Sequence, residues 1–191
     1  MSKVAIVTGG SMGIGRATAL QLAAEGAHVV ACARRQARLD DLAQEIKALG
    51  GSFSGVALDV SDLDAFARLI ADTAAEHGRL DLLVNNAPAV VGGRILEQTI
   101  EQWRANFGVC VESVFSGVQA ALKIMQPQGS GSIINISSVS SLRAGFAAGA
   151  YSAAKAAVNQ FTQCAAMEAA PYNVRANVIA PGAVMTPGLD A

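Results

Sequence analysis

Short apolar runs recur along the chain at intervals that leave room for a helix between each pair. The segments Val4–Thr8, His28–Ala33, 53–59, 81–85, 132–137 and 173–179 are rich in β-branched and other apolar residues, several of them nearly continuously. Runs of that kind predict parallel strands buried on both faces. Segments 15–25, 38–49 and Leu63–His77 carry the longer pattern of amphipathic helices. The third of them opens on Ser61-Asp62-Leu63-Asp64, a variant of the capping box. Gly26, Gly50 and Gly78 stand just past the three helices, where a left-handed cap is wanted, and Pro171 closes a later helix. Alternation of this sort predicts an α/β fold, a doubly wound parallel sheet of Rossmann type with six strands and right-handed crossovers. Residues 1–191 read as one dinucleotide-binding and catalytic domain, with no linker, repeat or low-complexity tail.

The first strand leads directly into Thr8-Gly9-Gly10-Ser11-Met12-Gly13-Ile14-Gly15. Glycines 9, 13 and 15 let the backbone turn tightly, and the helix start that follows offers free N–H groups and partial positive charge to a pyrophosphate. No Lys-Ser/Thr pair follows, which argues against a nucleoside triphosphate loop. Dinucleotide folds often carry an acid at the end of the second strand to bind ribose hydroxyls. Here that place falls on Ala33, followed by Arg34 and Arg35. With no carboxylate to repel a 2′-phosphate and two guanidiniums to bind it, NADP is the preferred cofactor, with NAD possible.

Tyr151 and Lys155 are four apart and share one helix face. A free phenol titrates near pH ~10, too high for efficient proton transfer at neutrality. A neighbouring ammonium is expected to favour the phenolate and bring that value down. Ser138 stands thirteen positions before the tyrosine, just past a strand, at the carboxyl edge where such sheets bind ligands. Its hydroxyl can hydrogen-bond a substrate oxygen as charge develops there.

Composition narrows the partners. Net charge is −1 and charged residues make up 15%, which gives no electrostatic case for nucleic acid or an anionic membrane. The three cysteines, Cys32, Cys110 and Cys164, are odd in number and lack metal-ligand spacing, so a reduced, cytoplasmic protein without a metal site is expected. No uncharged apolar run has membrane-spanning length.

With these residues in view, the chain resembles the short-chain dehydrogenase/reductase family from about Lys3 to Thr186. Thr8 to Gly15 is similar to its cofactor turn, Asp59-Val60 to its adenine-contacting pair, and Asn85-Asn86-Ala87 to the motif ending its fourth strand. Ser138, Tyr151 and Lys155 match its catalytic residues in type and spacing, and Pro181-Gly182 through Val184 and Thr186 resemble its nicotinamide-contacting segment. The resemblance implies an oxidoreductase that passes a hydride between NADP(H) and a small-molecule alcohol or carbonyl. Tyr151 would be general acid/base, Lys155 would tune it and hold the ribose, and Ser138 would position the substrate oxygen. Gly9, Ser11, Met12, Gly13, Ile14, Gly15, Arg34, Arg35, Asp59, Val60, Asn86, Ala87, Tyr151, Lys155, Pro181, Gly182, Val184 and Thr186 would hold the cofactor. It also implies a homodimer or homotetramer, paired through long helices near 101–125 and 150–169.

Three departures from the family stand out. Cys110 occupies the place of an asparagine that holds a water between lysine and solvent; a thiol is a poor substitute, so a slower proton relay is expected, with Asn106 one turn earlier as partial compensation. Pro88 replaces the glycine after Asn-Asn-Ala. The chain also stops at Ala191, before the family's usual substrate lid and seventh strand, which leaves an open sheet edge at 173–179. These departures support the alternative of a catalytically impaired dinucleotide-binding scaffold or redox sensor, against which the intact Ser138, Tyr151 and Lys155 weigh. A methyltransferase on a similar sheet would share the glycine turn but give no reason for Tyr151 and Lys155.

Overall fold

The computed structural model describes residues 2–186; the remaining ends of the 1–191 domain reading lie outside the described residues. Six strands form one sheet: β1 (Val4–Thr8), β2 (His28–Ala33), β3 (Ser52–Ala57), β4 (Leu82–Asn85), β5 (Gly131–Ile136) and β6 (Val174–Ile179). Every pairing is parallel and the order is β3-β2-β1-β4-β5-β6. The doubly wound Rossmann-type sheet expected from the apolar runs is thus present.

Crossovers are made by α1 (Gly13–Ala24), α2 (Gln36–Ala48), α3 (Leu63–His77), α4 (Ile100–Phe107), α5 (Ser113–Gln128) and α6 (Gly149–Ala169). On one face, Phe66 and Ile70 of α3, Val118 and Met125 of α5 and Val158 of α6 close over Ile6, Leu83 and Ile133. On the other, Ala19 and Ala23 of α1 with Leu42 and Ile46 of α2 close over Val7 and Val29. Small alanines on α1 bring it close to the strands, and burial of these side chains drives the layering, each contributing about 1.5–3 kcal/mol for the larger ones. Among the described residues no helix covers the second face of β5 and β6, so Ile134 and Ile136 are only half-buried and Ile179 is exposed. Double-sided cover, expected for several of the strands, holds for β1, β2 and β4, which contribute buried residues to both clusters, while the edge strand β3 has no fully buried residue. Among the described residues β6 lies at one edge of the sheet and β3 at the other.

Several details differ from the pattern reading. The segments α4 and α5 join through a π-helical turn, Gly108–Glu112, into one continuous helix, Ile100–Gln128. By length and composition alone that helix could cross a membrane, Glu112 being the only charged residue between Ala105 and Leu122, but Val114, Val118, Ala121 and Met125 on it pack into the core beneath the sheet. The cap of α3 is Asp62, whose carboxylate accepts from Ala65 N at 2.9 Å, while Ser61 turns away to donate to Asp59. Gly26, Gly50 and Gly78 do take left-handed conformations, and Pro171 lies in the 3₁₀ turn that follows α6.

The chain winds from β1 outward to β3, then returns to β4 on the far side of β1. At that switch point the connections leave β1 and β4 in opposite directions and open a crevice at the carboxyl edge of the sheet.

Candidate active site

The crevice begins where β1 ends. Thr8 Oγ1 accepts from Asn86 N at 2.9 Å and from Ala87 N at 3.0 Å, which ties the end of β1 to the end of β4. Asn86 Nδ2 donates to Thr8 O at 3.0 Å, so its side chain supports the turn. Gly9 has φ +64° and a Cβ there would come within 2.9 Å of Ala87 Cα; only glycine fits. Helix α1 then starts at Gly13 with Met12 as its cap residue, and Met12 makes no side-chain cap bond. The first-turn N–H groups of α1 have no intrahelical partners and face the crevice with the positive end of the helix dipole. Gly15 is buried beneath the turn, and a side chain there would collide with Asn86 and the Gly9 carbonyl. Its part is close packing of the helix start against the turn and Asn86, and it does not line the crevice.

Past the end of β2, Ala33 stands where an acid is absent, and Arg34 and Arg35 are exposed beside the crevice. Arg35 Nη2 donates to Met12 Sδ at 2.6 Å. The Asp59 carboxylate accepts from Ser61 N at 3.0 Å and from Ser61 Oγ at 2.8 Å. The Ser61 N–H holds this carboxyl below its ordinary range; burial opposes, and the Ser61 hydroxyl and the Arg34 charge assist.

At the other end, Ser138 leaves β5 and caps a short 3₁₀ turn, Val139–Ser141, its Oγ accepting from Ser140 N at 3.1 Å. Tyr151 and Lys155 lie on α6, with Lys155 Nζ 5.8 Å from the centre of the tyrosine ring. That ammonium is almost fully buried and donates to Ile136 O at 2.6 Å. Burial pushes the Tyr151 phenol above its ordinary value, the Ser138 hydroxyl beside it pulls the other way, and Cys110 adds to the rise. Burial likewise lowers Lys155. The expected lowering of the phenol by its neighbouring ammonium is therefore absent from this structure. Desolvation dominates, and one N–H of the Lys155 ammonium is donated to the end of β5.

Cys110 is buried in the π-helical turn, its Sγ donating to Ala89 O at 3.4 Å. Asn106 is fully buried and committed to the 91 segment: Nδ2 donates to Val91 O and Gln102 O, both at 3.0 Å, and Oδ1 accepts from Val91 N at 3.2 Å. With both ends of its amide engaged, Asn106 holds a wall of the crevice and does not compensate for Cys110.

A cavity of about 840 Å³ runs through all of this, near the top of the usual range of roughly 300–1,000 Å³ for ligand sites. It is lined by Gly9, Ser11, Met12, Gly13 and Ile14 of the turn, by Arg34 and Arg35, by Asp59 and Val60, and by Asn86 and Ala87. It continues past Ser138, Tyr151 and Lys155 to Pro181, Gly182, Val184 and Thr186. Every candidate residue except Gly15 thus meets in one space. Pro88 to Val91, Arg104, Val109, Ile136 and Ser137 also line it. Of these, only Pro88 carried a signal, as the replacement of the glycine after Asn-Asn-Ala; the others are ordinary helix, strand and loop residues brought in by the topology. A cradle that only glycine fits, helix N–H groups and paired guanidiniums at one end, with a phenol and a hydroxyl at the other, suits an elongated dinucleotide.

A sequence-family model described as short chain dehydrogenase matches residues 3–191. A 3-oxoacyl-(acyl-carrier-protein) reductase from Thermotoga maritima is 36% identical over 185 residues, 97% of this chain and 75% of the relative. Among solved structures, a candidate short-chain dehydrogenase/reductase from Burkholderia xenovorans superposes with a TM-score of 0.94 at 39% identity, covering 98% of this chain and 74% of the other. A protein described as a candidate NAD(P) dependent gluconate 5-dehydrogenase from Beutenbergia cavernae, with bound NADP at low occupancy, does so with a TM-score of 0.92 at 36% identity, covering 97% and 74%.

Proposed function

The chain belongs to the short-chain dehydrogenase family, an oxidoreductase family, and from that premise we propose that it interconverts a small alcohol and its carbonyl with NADP(H), Tyr151 acting as general acid and base. The observation that carries this reading is a single cavity shared by the Gly9–Ile14 turn and by Ser138, Tyr151 and Lys155. The nicotinamide cofactor, when bound, supplies or takes up the hydride and, in its oxidised form, carries a positive charge.

On reduction, Tyr151 gives its phenolic proton to the carbonyl oxygen; on oxidation it takes the proton back. A phenol raised by burial stays protonated at neutral pH, which suits the donor role. Ser138 Oγ already accepts from Ser140 N, so its own hydrogen is free to donate to the substrate oxygen. Lys155, fixed by Ile136 O, keeps a cationic field beside the ring that strengthens as substrate excludes water. Gly9, Ser11, Met12, Gly13, Ile14, Asn86 and Ala87 would receive the pyrophosphate and its ribose. Asp59 and Val60 would border the adenine, and Pro181, Gly182, Val184 and Thr186 the carboxamide. Arg34 and Arg35 would bind a 2′-phosphate, which favours NADP over NAD.

The whole of 1–191 would act as one such domain in the cytoplasm. Self-association would use the outer faces of Ile100–Gln128 and α6, where Phe115, tilted against Phe161 at 5.8 Å, is half-exposed. The scaffold alternative gains no support, since the similar proteins are named for reductase and dehydrogenase activities.

The test is a panel of ketones and acyl thioesters with purified protein and NADPH. Consumption of NADPH with at least one carbonyl is expected. Tight NADPH binding with no turnover on any of them would contradict the proposal.

A further inference from the structure

Resting on the assignment of Ser138 just made, we propose that Asn159 and Ser141 form a brace, two positioning residues that hold the Ser138 segment against α6 and so fix the serine hydroxyl beside Tyr151. Asn159 lies on α6 two turns past Tyr151, and its Nδ2 donates to Ser141 Oγ at 2.8 Å. Ser141 Oγ in turn donates to Ser138 O at 2.5 Å, and Ser141 N donates to the same carbonyl at 2.9 Å. The bonds run in one direction, from amide to hydroxyl to carbonyl, so each polarises the next. On the other side of Ser138, Ser137 Oγ donates to Lys155 O at 3.1 Å. Residues 155 and 159 are about one turn apart. Ser138 is therefore clamped between two ties to the helix that carries Tyr151, one on each side of it in the chain.

The strand side is held as well, by Ser137 N to Ile179 O at 2.7 Å and Val139 N to Pro181 O at 3.0 Å. Those bonds fix the height of Ser138 along the sheet. The ties to α6 join it directly to the helix that carries the phenol. Asn159 Oδ1 is buried without a partner, so the amide contributes through its N–H side and carries a desolvation cost on the other. An apolar side chain at 159 removes that cost together with the brace, which separates positioning from stability.

The test uses the full chain and its own chromophore. The protein has two tyrosines, and Tyr172 is 47% exposed and outside the cavity, so Tyr172→Phe leaves Tyr151 as the sole phenol. In that background the tyrosinate absorbance is titrated with no ligand present, over the pH range in which circular dichroism stays native. Ser138→Ala is expected to move the Tyr151 midpoint upward, because the hydroxyl that favours the phenolate is gone. Ser141→Ala and Asn159→Leu, which both keep Ser138, are expected to move it in the same direction. Ser141→Thr, which keeps the hydroxyl, titrates as the parent does. Asn159→Asp, which replaces a donor with an acceptor, behaves as Asn159→Leu. With a carbonyl substrate, kcat of the Ser141→Ala and Asn159→Leu variants falls about tenfold at unchanged KM for NADPH. A midpoint that moves in Ser138→Ala but stays at the parental value in both brace variants overturns the brace and leaves the serine's role standing. A midpoint indifferent to Ser138→Ala overturns the serine–tyrosine reading and the brace with it. If Asn159→Leu fails to fold, the Ser141→Ala and Ser141→Thr pair decides alone.

Discussion

Gly9 and Gly26 both lie in left-handed conformations, at φ +64° and +86°, yet their surroundings differ. A Cβ on Gly26 meets nothing within 4 Å, whereas one on Gly9 comes within 2.9 Å of Ala87 Cα and 3.2 Å of Ala87 N. Alanine in the left-handed region costs about 1–2 kcal/mol, and that is the whole expected loss for Gly26→Ala. In Gly9→Ala the Asn86–Ala87 backbone must also retreat, and it is held by hydrogen bonds from Asn86 N and Ala87 N to Thr8 Oγ1 at 2.9 and 3.0 Å. Weakening both adds about 1 kcal/mol each, for a total of roughly 3–4 kcal/mol. The same retreat opens the cradle proposed to take the pyrophosphate. Urea unfolding of the two variants gives the stabilities, and the fluorescence of bound NADPH gives the affinities. Gly26→Ala should bind as the parent does, and Gly9→Ala at least about tenfold more weakly, a loss of about 1.4 kcal/mol. Equal destabilisation and equal NADPH affinity in the two variants would refute the reasoning.

Three further outcomes follow from the structure. Cys110→Asn restores an amide in the π-helical turn and should raise kcat about 2- to 10-fold in steady-state assays, where an unchanged rate would show that the thiol limits nothing. Replacing Arg34 and Arg35 with alanine should weaken NADPH about 10- to 100-fold in fluorescence titrations and leave NADH unaffected; equal losses for both would remove the 2′-phosphate assignment. His28 packs against His77 at 4.2 Å between ring centres and contacts Ser52 and Ser54; burial first, then the His77 charge, lowers its proton affinity, with Glu76 opposing. A base depressed in the folded state gives stability that is present above its unfolded value and lost as pH falls through and below it. The melting temperature should therefore drop between pH ~7.5 and ~5.5, and drop less in His28→Gln; identical profiles would sink this assignment.

The apolar runs located all six strands because a parallel sheet buries its central strands on both faces, and β1 and β2 came out at their stated ends. The others shifted by one or two residues. Gly131 and Ser52 are poor strand formers, yet they pair with Val174 and His28 across the sheet, and such register is a property of neighbours far away in sequence. The π-helical turn left no trace in the pattern, since it displaces one carbonyl ladder without changing which residues are apolar. The site was more legible than its electrostatics. Residue types and spacing brought Ser138, Tyr151 and Lys155 together, but the direction of the Tyr151 shift depends on depth of burial and on the balance of Ser138 against Cys110. Neither burial depth nor that balance is written in a four-residue spacing. Gly15 looked like a cradle residue for the same reason, because a motif does not say which glycine lines the crevice and which packs beneath the turn.

The account stands or falls on the phenol of Tyr151. Tyr151→Phe removes one oxygen and leaves the ring, Lys155 and the glycine cradle in place. With the best carbonyl substrate, NADPH consumption should fall by about 10²- to 10⁴-fold while NADPH affinity holds. In the parent, oxidation of the matching alcohol should rise with pH as the buried phenol is forced to ionise, whereas reduction is sustained through neutrality. A Tyr151→Phe protein that turns over at the parental rate, with the same pH dependence, would contradict the claim.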